Sequence, residues 1–267
     1  MPDSSPADPD DATSRSRTGA QAVDRALGVL GTFLEDEELT LSEIARRRGL
    51  TVSTAHRLLQ ALVRAGYVDQ DDLTERYRLG RTSAVLGQAA SRRFRLDVAQ
   101  PLLDGLAART GETANLGVRD GAEVVIVLAA ESDQPLRFER PPGSRTPAHA
   151  SAIGKVLLAF GPDDPDAAVA ALGELVRYTP RTIVAPDALC SELAQIRKRG
   201  IALNREERFS GVSAVAVPVC DRIGVARTAV GVQVPTARLD RDRISELSAE
   251  VRAVAAELAA LLPLASY

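Results

Sequence analysis

The feature that most constrains the fold is a pair of short helix patterns joined by a tight turn. Thr40-Leu41-Ser42-Glu43 has the pattern of a capping box, in which the Thr40 hydroxyl and the Glu43 carboxylate each accept from the other's backbone amide. Gly49 follows where the chain must turn, and apolar residues at helical spacing predict a next helix from Val52 to Ala65. Gly66, which tolerates a positive φ, is placed to end that helix.

The residues on either side complete a winged helix-turn-helix. A first helix is predicted from apolar residues at helical spacing, namely Val23, Ala26, Leu27, Leu30 and Leu34. Two short β runs, at 67–68 and 76–79, flank a polar stretch and predict a hairpin. Three helices with a tight turn between the second and third, followed by a hairpin, make a winged helix-turn-helix.

The remainder predicts a linker and a second, larger domain. Helical patterns and strand patterns mix there without strict βαβ alternation, so an α+β domain with an antiparallel sheet is expected. Its helices are predicted at 96–110, 150–160, 166–172, 187–199 and 239–262, and its strands at 113–118, 123–130, 213–220 and 226–234. The predicted organisation is a disordered tail at 1–20, a winged helix-turn-helix domain at 21–81, a linker helix at 82–95 and the larger domain at 96–267.

Charge confines any nucleic-acid contact to a local patch. The chain has 33 basic and 36 acidic residues, a net charge of −3, yet the stretch 40–66 holds five arginines and one acid. A local excess of this kind suits phosphate binding. The predicted DNA-binding residues are Arg46, Arg47, Thr51, Ser53, Thr54, His56, Arg57, Arg76 and Arg78. The hairpin acids Asp69, Asp71 and Asp72 are expected to point away from phosphate.

Three alternatives remain open for this segment. Winged helices also serve as architectural or protein-docking modules without ligand control, and three successive arginines often form a solvated turn. Arg57 suits a DNA contact or a brace for the hairpin about equally. His56 suits a phosphate contact or a packing role better than base reading.

The residue inventory argues against catalysis, metal binding and a membrane location. Two histidines and two cysteines without CxxC spacing offer neither a metal-ligand set nor a nucleophile with its base. Glu206 and Glu207 are adjacent, so on an extended strand they point to opposite faces. No apolar run approaches the ~20 residues of a membrane span. We expect a cytoplasmic protein that is not an enzyme and uses no cofactor, no metal and no catalytic residue.

A series of motifs, in a fixed order over nearly all residues after about Ala20, resembles the IclR family of bacterial transcription regulators. The motifs are Leu41–Ala45, Ser53–Leu59, Tyr77–Gly80, His149–Ala159, Tyr178–Ile183, Gly200–Ala202, Glu206-Glu207, Gly211-Val212 and Val215–Val219. The resemblance implies a GAF-like C-terminal effector-binding domain and a homodimer or homotetramer. It also implies a repressor or an activator, of which the repressor is preferred, bound to a pseudopalindromic operator in double-stranded DNA. Its small-molecule effector would be an organic acid or an aromatic compound.

The resemblance also implies where the effector binds. In the family, amides at the positions of Ala152 and Ile153 hold a carboxylate, and the first amides of a helix suit an anion. Small residues here equally suit close packing of a helix on the sheet. Lys155 suits a counter-charge, a loop brace or a subunit contact, and His149 a ligand contact or a structural hydrogen bond.

Further pocket positions depart from the acid-binding members of the family. Asn204 stands in place of an acidic residue, Ala214 in place of a cysteine, and Gly231 and Gln233 in place of two hydroxyl residues. The predicted walls are Phe138, Thr146, Val212 and Val232. Because small residues free volume and amides both donate and accept, a ligand larger or less acidic than the shortest keto acids is expected. Alternatively, Asn204 and Gln233 bond each other.

Overall fold

The structure is a computed structural model that describes residues 9–34 and 36–262, with side chains from Ala20 onward. It divides into two units, the first ending at Ala90 and the second beginning at Ser91. Residues 1–8 of the predicted disordered tail lie outside the described residues. The backbone is helical from Pro9 onward, well before the apolar spacing that begins at Val23. The added turns contain almost no apolar residue, so periodicity could not predict them.

The first unit contains the predicted helices and hairpin. Its elements are α1 (Pro9–Gly31), α2 (Leu41–Arg47), α3 (Val52–Arg64), β1 (Val68–Gln70), β2 (Tyr77–Leu79) and α4 (Arg81–Phe94), which continues past the unit boundary. The capping box is present, since the Thr40 hydroxyl accepts from the Glu43 amide at 3.3 Å and the Thr40 amide donates to the Glu43 carboxylate at 2.8 Å. β1 and β2 pair antiparallel, and Leu39 adds a bridge to Tyr77.

The core of the first unit is built from the inner faces of these elements. Its buried members include Phe33, Ile44, Leu59, Val68 and Tyr77. Some residues that the apolar spacing places on the inner face of a helix are nevertheless exposed. The structure leaves the following exposed: Val23 (58%), Leu27 (60%), Leu34 (60%) and Val52 (53%).

The second unit is an antiparallel sheet covered by helices on both faces. Its elements are α5 (Leu96–Thr110), β3 (Thr113–Asp120), β4 (Glu123–Ala130), β5 (Arg145–Pro147), α6 (Ala152–Phe160), α7 (Pro165–Ala170), α8 (Pro186–Arg199), β6 (Ala202–Arg205), β7 (Val212–Cys220), β8 (Ala226–Pro235) and α9 (Arg241–Leu261). The six strands lie in the order β5-β4-β3-β8-β7-β6. This arrangement is the α+β fold with an antiparallel sheet that the sequence predicts.

Alternation along the strands gives the sheet two apolar faces. On one face, Val215, Val217 and Val230 pack with α5 and α9 in one buried cluster. On the other face, Ala216 and Ala229 join a second cluster with α6 and α8. The small residues on this second face let α6 approach the sheet closely.

The sequence missed two short strands, β5 and β6, which form the two edges of the sheet. Each has four residues or fewer, too short for alternation to be recognised. Among the described residues, no helix combines the length and the apolar composition that a membrane span requires.

Candidate functional site

The face of α3 that is not packed on the core carries the predicted base and phosphate contacts. Ala55, Leu58 and Leu59 hold the helix against the core, which leaves Ser53, His56 and Arg57 exposed on the other side. Within the part of the chain that the structure describes, Arg57 makes no hydrogen bond or ion pair. The alternative that Arg57 braces the hairpin therefore has no contact to support it.

The hydroxyls at the start of α3 have a structural role. Thr51 is the N-cap residue, and its hydroxyl accepts from the Thr54 amide at 3.3 Å. The same oxygen lies 2.9 Å from the Thr54 hydroxyl and 3.2 Å from that of Ser53. These hydroxyls remain at the surface, so a phosphate contact there would compete with the cap.

The arginines of α2 differ in their partners. Arg46 is exposed and has no ion pair among the described residues. Arg47 lies 2.5 Å from the Asp36 carboxylate. A phosphate that binds Arg47 must therefore displace the Asp36 carboxylate. A phosphate that binds Arg46 displaces no anion.

The hairpin arginines are also paired with acids. Arg76 donates to the Glu38 carbonyl at 3.4 Å and lies 4.0 Å from Glu43. Arg78 lies 3.5 Å from Glu38 and 4.0 Å from Asp71. The β-hairpin thus places the Asp71 carboxylate beside Arg78, and the expectation that the hairpin acids point away from phosphate stays a prediction.

A cavity of about 50 Å³ lies in the second unit beside the first turn of α6. All six strands contribute to its wall, together with the loops that precede β5 and β7. Nine of the ten predicted effector residues line it, namely Thr146, Ala152, Ile153, Asn204, Val212, Ala214, Gly231, Val232 and Gln233. Phe138 does not line the cavity. Its ring centre lies 5.3 Å from that of Phe209, and Phe209 does line the cavity.

Several polar side chains in this wall have no partner within the described residues. Asn115 is fully buried, and neither its amide nitrogen nor its carbonyl oxygen is hydrogen-bonded. The Thr146 hydroxyl and the Gln233 carbonyl oxygen are also buried and unpaired. Native structures rarely leave buried polar atoms unsatisfied, so each of these groups points to a missing partner such as a ligand or water.

The start of α6 packs closely on its neighbours and also lines the cavity. Ser151 caps the helix by accepting from the Gly154 amide at 3.0 Å. A Cβ on Gly154 would lie 2.2 Å from the Ala148 carbonyl oxygen, so glycine is required for packing. Ala152 and Ile153 line the cavity, and the amides of the first helical turn have no partner within the helix.

Asn204 and Gly231 have structural roles that could not be predicted from the sequence. The Asn204 amide donates to the Ala150 carbonyl at 2.6 Å, and its oxygen accepts from the Glu207 amide at 3.0 Å. It therefore does not bond Gln233. A Cβ on Gly231 would lie 2.6 Å from the Val215 carbonyl oxygen, so this glycine permits close packing against β7 and also lines the cavity.

Two arginines that sequence reasoning missed also line the cavity, Arg140 and Arg208. The Arg140 Nε is buried without a partner, and burial, with a smaller effect of nearby Arg208, lowers the pKa of Arg140 to about 10. The Arg208 guanidinium lies 3.8 Å from the centre of the Tyr178 ring. Both arginines lie on loops, where no periodicity indicates which way a side chain points.

Lys155 and His149 both have structural partners. The Lys155 ammonium donates to the Glu207 carboxylate at 2.6 Å and to the Leu203 carbonyl at 2.7 Å. The Nε2 atom of His149 lies 3.1 Å from the Val176 carbonyl oxygen. Of the roles considered for Lys155, the structure shows the loop brace. Glu207 follows β6 instead of lying on a strand, so the expected strand geometry of the two glutamates is wrong.

Comparisons with known proteins cover both units. A family model described as the IclR helix-turn-helix domain matches residues 22–72. A second model, described as bacterial transcriptional regulator IclR C-terminal, matches residues 88–260.

Curated relatives align over most of the chain. An HTH-type transcriptional regulator, BhcR of Paracoccus denitrificans, is 40% identical over 242 residues, covering 90% of this chain and 86% of that protein. The HTH-type transcriptional repressor AllR of Escherichia coli is 31% identical over 262 residues, covering 97% of this chain and 96% of its own length.

Solved structures share the fold. An IclR transcriptional regulator from Alicyclobacillus acidocaldarius superposes with a TM-score of 0.78 at 27% identity, covering 90% of this chain and 98% of that one. An IclR homolog from Microbacterium hydrocarbonoxydans, complexed with 4-hydroxybenzoate, gives a TM-score of 0.76 at 26% identity, with coverages of 90% and 99%.

Proposed function

The chain belongs to the IclR family of bacterial transcription regulators, and from this premise we propose that it represses a promoter under the control of a small metabolite. The N-terminal unit binds the operator, and the cavity of the C-terminal unit binds the effector. The observation that carries the effector half is the set of buried, unpartnered polar groups around that cavity.

The DNA-binding surface is proposed to centre on the exposed face of α3. Arg57 and Arg46 are exposed cations without an ion pair in the described chain, so a phosphate or a base edge binds them without displacing another anion. Ser53 and His56 share the exposed side of α3. The proposed contacts from Arg47, Arg76 and Arg78 are weaker, because each is already paired with an acid.

The test measures binding of the full chain to labelled DNA flanking its own coding region by fluorescence anisotropy at several salt concentrations. Arg57→Ala should weaken specific binding by about 1–3 kcal/mol if Arg57 reads a base. Arg46→Ala, if the residue contacts phosphate, should weaken binding to all sequences and reduce the salt slope by about 1.

Arg222→Ala is the matched control, because it removes a positive charge that is also exposed, from the β7–β8 turn of the other unit. It should leave both the affinity and the salt slope unchanged. If Arg57→Ala and Arg46→Ala bind as the wild type does, this surface is not the DNA-binding site. If the wild type shows no sequence preference, the proposed regulator gives way to an architectural protein.

The effector is proposed to place a carboxylate at the start of α6. The amides of Ala152 and Ile153 suit an anion, and Thr146 and Asn115 offer unpaired donors in the same cavity. The relative complexed with 4-hydroxybenzoate supports an acid as the class of ligand. The regulator binds this acid and releases it unchanged, which product analysis after prolonged incubation would check.

The protein is proposed to be a homodimer or homotetramer, because such symmetry matches a pseudopalindromic operator. It is proposed to act in the cytoplasm, which contains the bacterial DNA. Val85 and Leu86 of α4 are 63% and 51% exposed, an apolar pair that a second copy of the chain would cover. Leu86→Asp should shift the mass measured by light scattering toward the monomer. Leu73→Asp, at a residue 94% exposed on the hairpin, is the control and should leave the mass unchanged.

A further inference from the structure

We infer that the effector is a compact dicarboxylate, with one carboxylate at the start of α6 and the second bound by Arg140 and Arg208. This inference rests on the proposed function, because it specifies the ligand class of the same cavity. Of the two alternatives expected from the sequence, a ligand larger or less acidic than the shortest keto acids, it keeps the larger ligand and drops the less acidic one.

The first observation is the charge balance of the cavity wall. Arg140 and Arg208 both line it, and no aspartate or glutamate is among the lining residues. Neither arginine makes an ion pair within the described part of the chain. Both arginines are half-buried, and the Arg140 Nε atom is fully buried. Because a cation partly removed from water is costly without a counter-ion, two unpaired cations facing one cavity indicate an anion that arrives with the ligand.

The second observation is that Arg140 has unused hydrogen-bonding capacity. Its Nε is buried and unbonded, and burial holds the pKa of the group near 10, still well above neutral pH. The group therefore remains a cation under ordinary conditions. Its guanidinium lies 5.6 Å from the centre of the Phe138 ring, which contacts the cation without occupying its N–H donors.

The third observation is that Arg208 is held in place by its surroundings. The face of its guanidinium stacks on Tyr178, which leaves the N–H edge available for bidentate contact with a carboxylate. The preceding residue, Glu207, is fixed by Lys155 through its side chain and by the Thr182 hydroxyl, which donates to its carbonyl at 2.6 Å. A positioned arginine loses less entropy when it binds an anion.

The fourth observation concerns the other polar groups and the size of the cavity. Asn115 and Thr146 line the same cavity, are more than nine-tenths buried and have unpaired polar atoms, so the cavity already offers donors to one carboxylate. A volume of about 50 Å³ holds only a few water-sized groups. A cavity of this size favours a compact ligand, in which a short chain joins the two anionic groups.

The experiment uses isothermal titration calorimetry of the full-length wild-type protein at constant salt and neutral pH. The probes are malonate and succinate, each compared with the monocarboxylate of equal chain length, propionate and butyrate. Hydrogen bonds to a charged group contribute about 1.5–3 kcal/mol, so at least one dicarboxylate should bind roughly ten- to a hundredfold more tightly than its partner.

Variants then assign the second carboxylate to the arginines. Arg140→Gln and Arg208→Gln should each reduce dicarboxylate affinity by about tenfold or more and leave monocarboxylate affinity unchanged. Arg137→Gln is the control, since Arg137 is nearby in sequence but pairs with Glu139 at 2.6 Å and does not line the cavity. Thermal unfolding of each variant checks that it folds, and the wild-type comparison does not depend on any variant.

The outcomes separate this inference from the proposed function. Equal affinity for the dicarboxylates and monocarboxylates overturns the inference but leaves an acid-binding regulator. The same holds if the arginine variants weaken both classes equally. If no probe binds at millimolar concentration, the dicarboxylate inference fails; the proposed function falls only if DNA binding is also absent or insensitive to every acid tested.

Discussion

The buried ion pair between Lys155 and Glu207 gives the sharpest stability prediction. Lys155 is 1% exposed and Glu207 is 8% exposed at the side chain, and the ammonium lies 2.6 Å from the carboxylate. Lys155→Met removes the cation and leaves a buried carboxylate without its counter-ion. Breaking a buried pair in this way costs about 3–5 kcal/mol.

This cost converts into a measurable change in melting temperature. In a protein unit of 150–250 residues, 1 kcal/mol shifts the melting temperature by about 2–4 °C, so Lys155→Met should lower it by about 6–20 °C. The assay is thermal unfolding at neutral pH followed by circular dichroism, with urea unfolding to obtain the free energy. The transition to follow is that of the C-terminal unit.

A double-mutant cycle separates the ion pair from the packing of the two side chains. Lys155→Met combined with Glu207→Leu replaces both charges, so it should cost less than the sum of the single variants by about 1–3 kcal/mol. The control is Glu250→Gln, which breaks an exposed pair with Arg109 at 2.8 Å and should cost no more than about 1 kcal/mol. Additive single effects, or a loss for Lys155→Met no larger than the control, would refute the reasoning.

Two further predictions concern backbone packing and helix capping. Gly154→Ala, whose new Cβ would collide with a backbone carbonyl, should destabilise the C-terminal unit by about 1–3 kcal/mol in thermal unfolding. Gly87→Ala, also in a helix but with open space around it, should instead be neutral or stabilise by up to about 1 kcal/mol; equal losses for the two variants would contradict this. Thr40→Val should destabilise the N-terminal unit by about 1 kcal/mol through loss of the cap, whereas Ser42→Ala on the same helix should have little effect. Hydrogen bonds from Thr40 lower the pKa of Glu43, so the stabilisation by this cap is complete at neutral pH and is lost as the pH falls through that lowered pKa; a Thr40→Val effect that is independent of pH would contradict this.

Local chemistry explains what the sequence predicted well. The Thr40–Glu43 capping box and the glycines at 49 and 66 depend on neighbouring residues alone, so the helix-turn-helix follows from a short segment. The long strands β7 and β8 and helix α5 also have patterns long enough to identify. The resemblance, by contrast, supplied most of the predicted cavity residues.

The misses arise from contacts between residues far apart in the chain. Nothing near Lys155 in the sequence indicates that its ammonium meets Glu207, 52 residues later. Arg140 and Arg208 come from two separate loops, and only the folded sheet brings both to one cavity. The Asn204 side chain likewise donates to the Ala150 carbonyl, which is 54 residues away in the sequence.

The pairing of the hairpin arginines with acids affects how strongly DNA binding by the N-terminal unit depends on salt. Arg78 already lies near two carboxylates, those of Glu38 and Asp71, so a nucleic-acid phosphate at this position trades one anion for another. The net number of mobile ions set free by such a trade is smaller than at an unpaired cation such as Arg57. Added salt should therefore weaken the DNA contacts of α3 more steeply than those of the hairpin, so that the hairpin contributes more to orientation than to affinity.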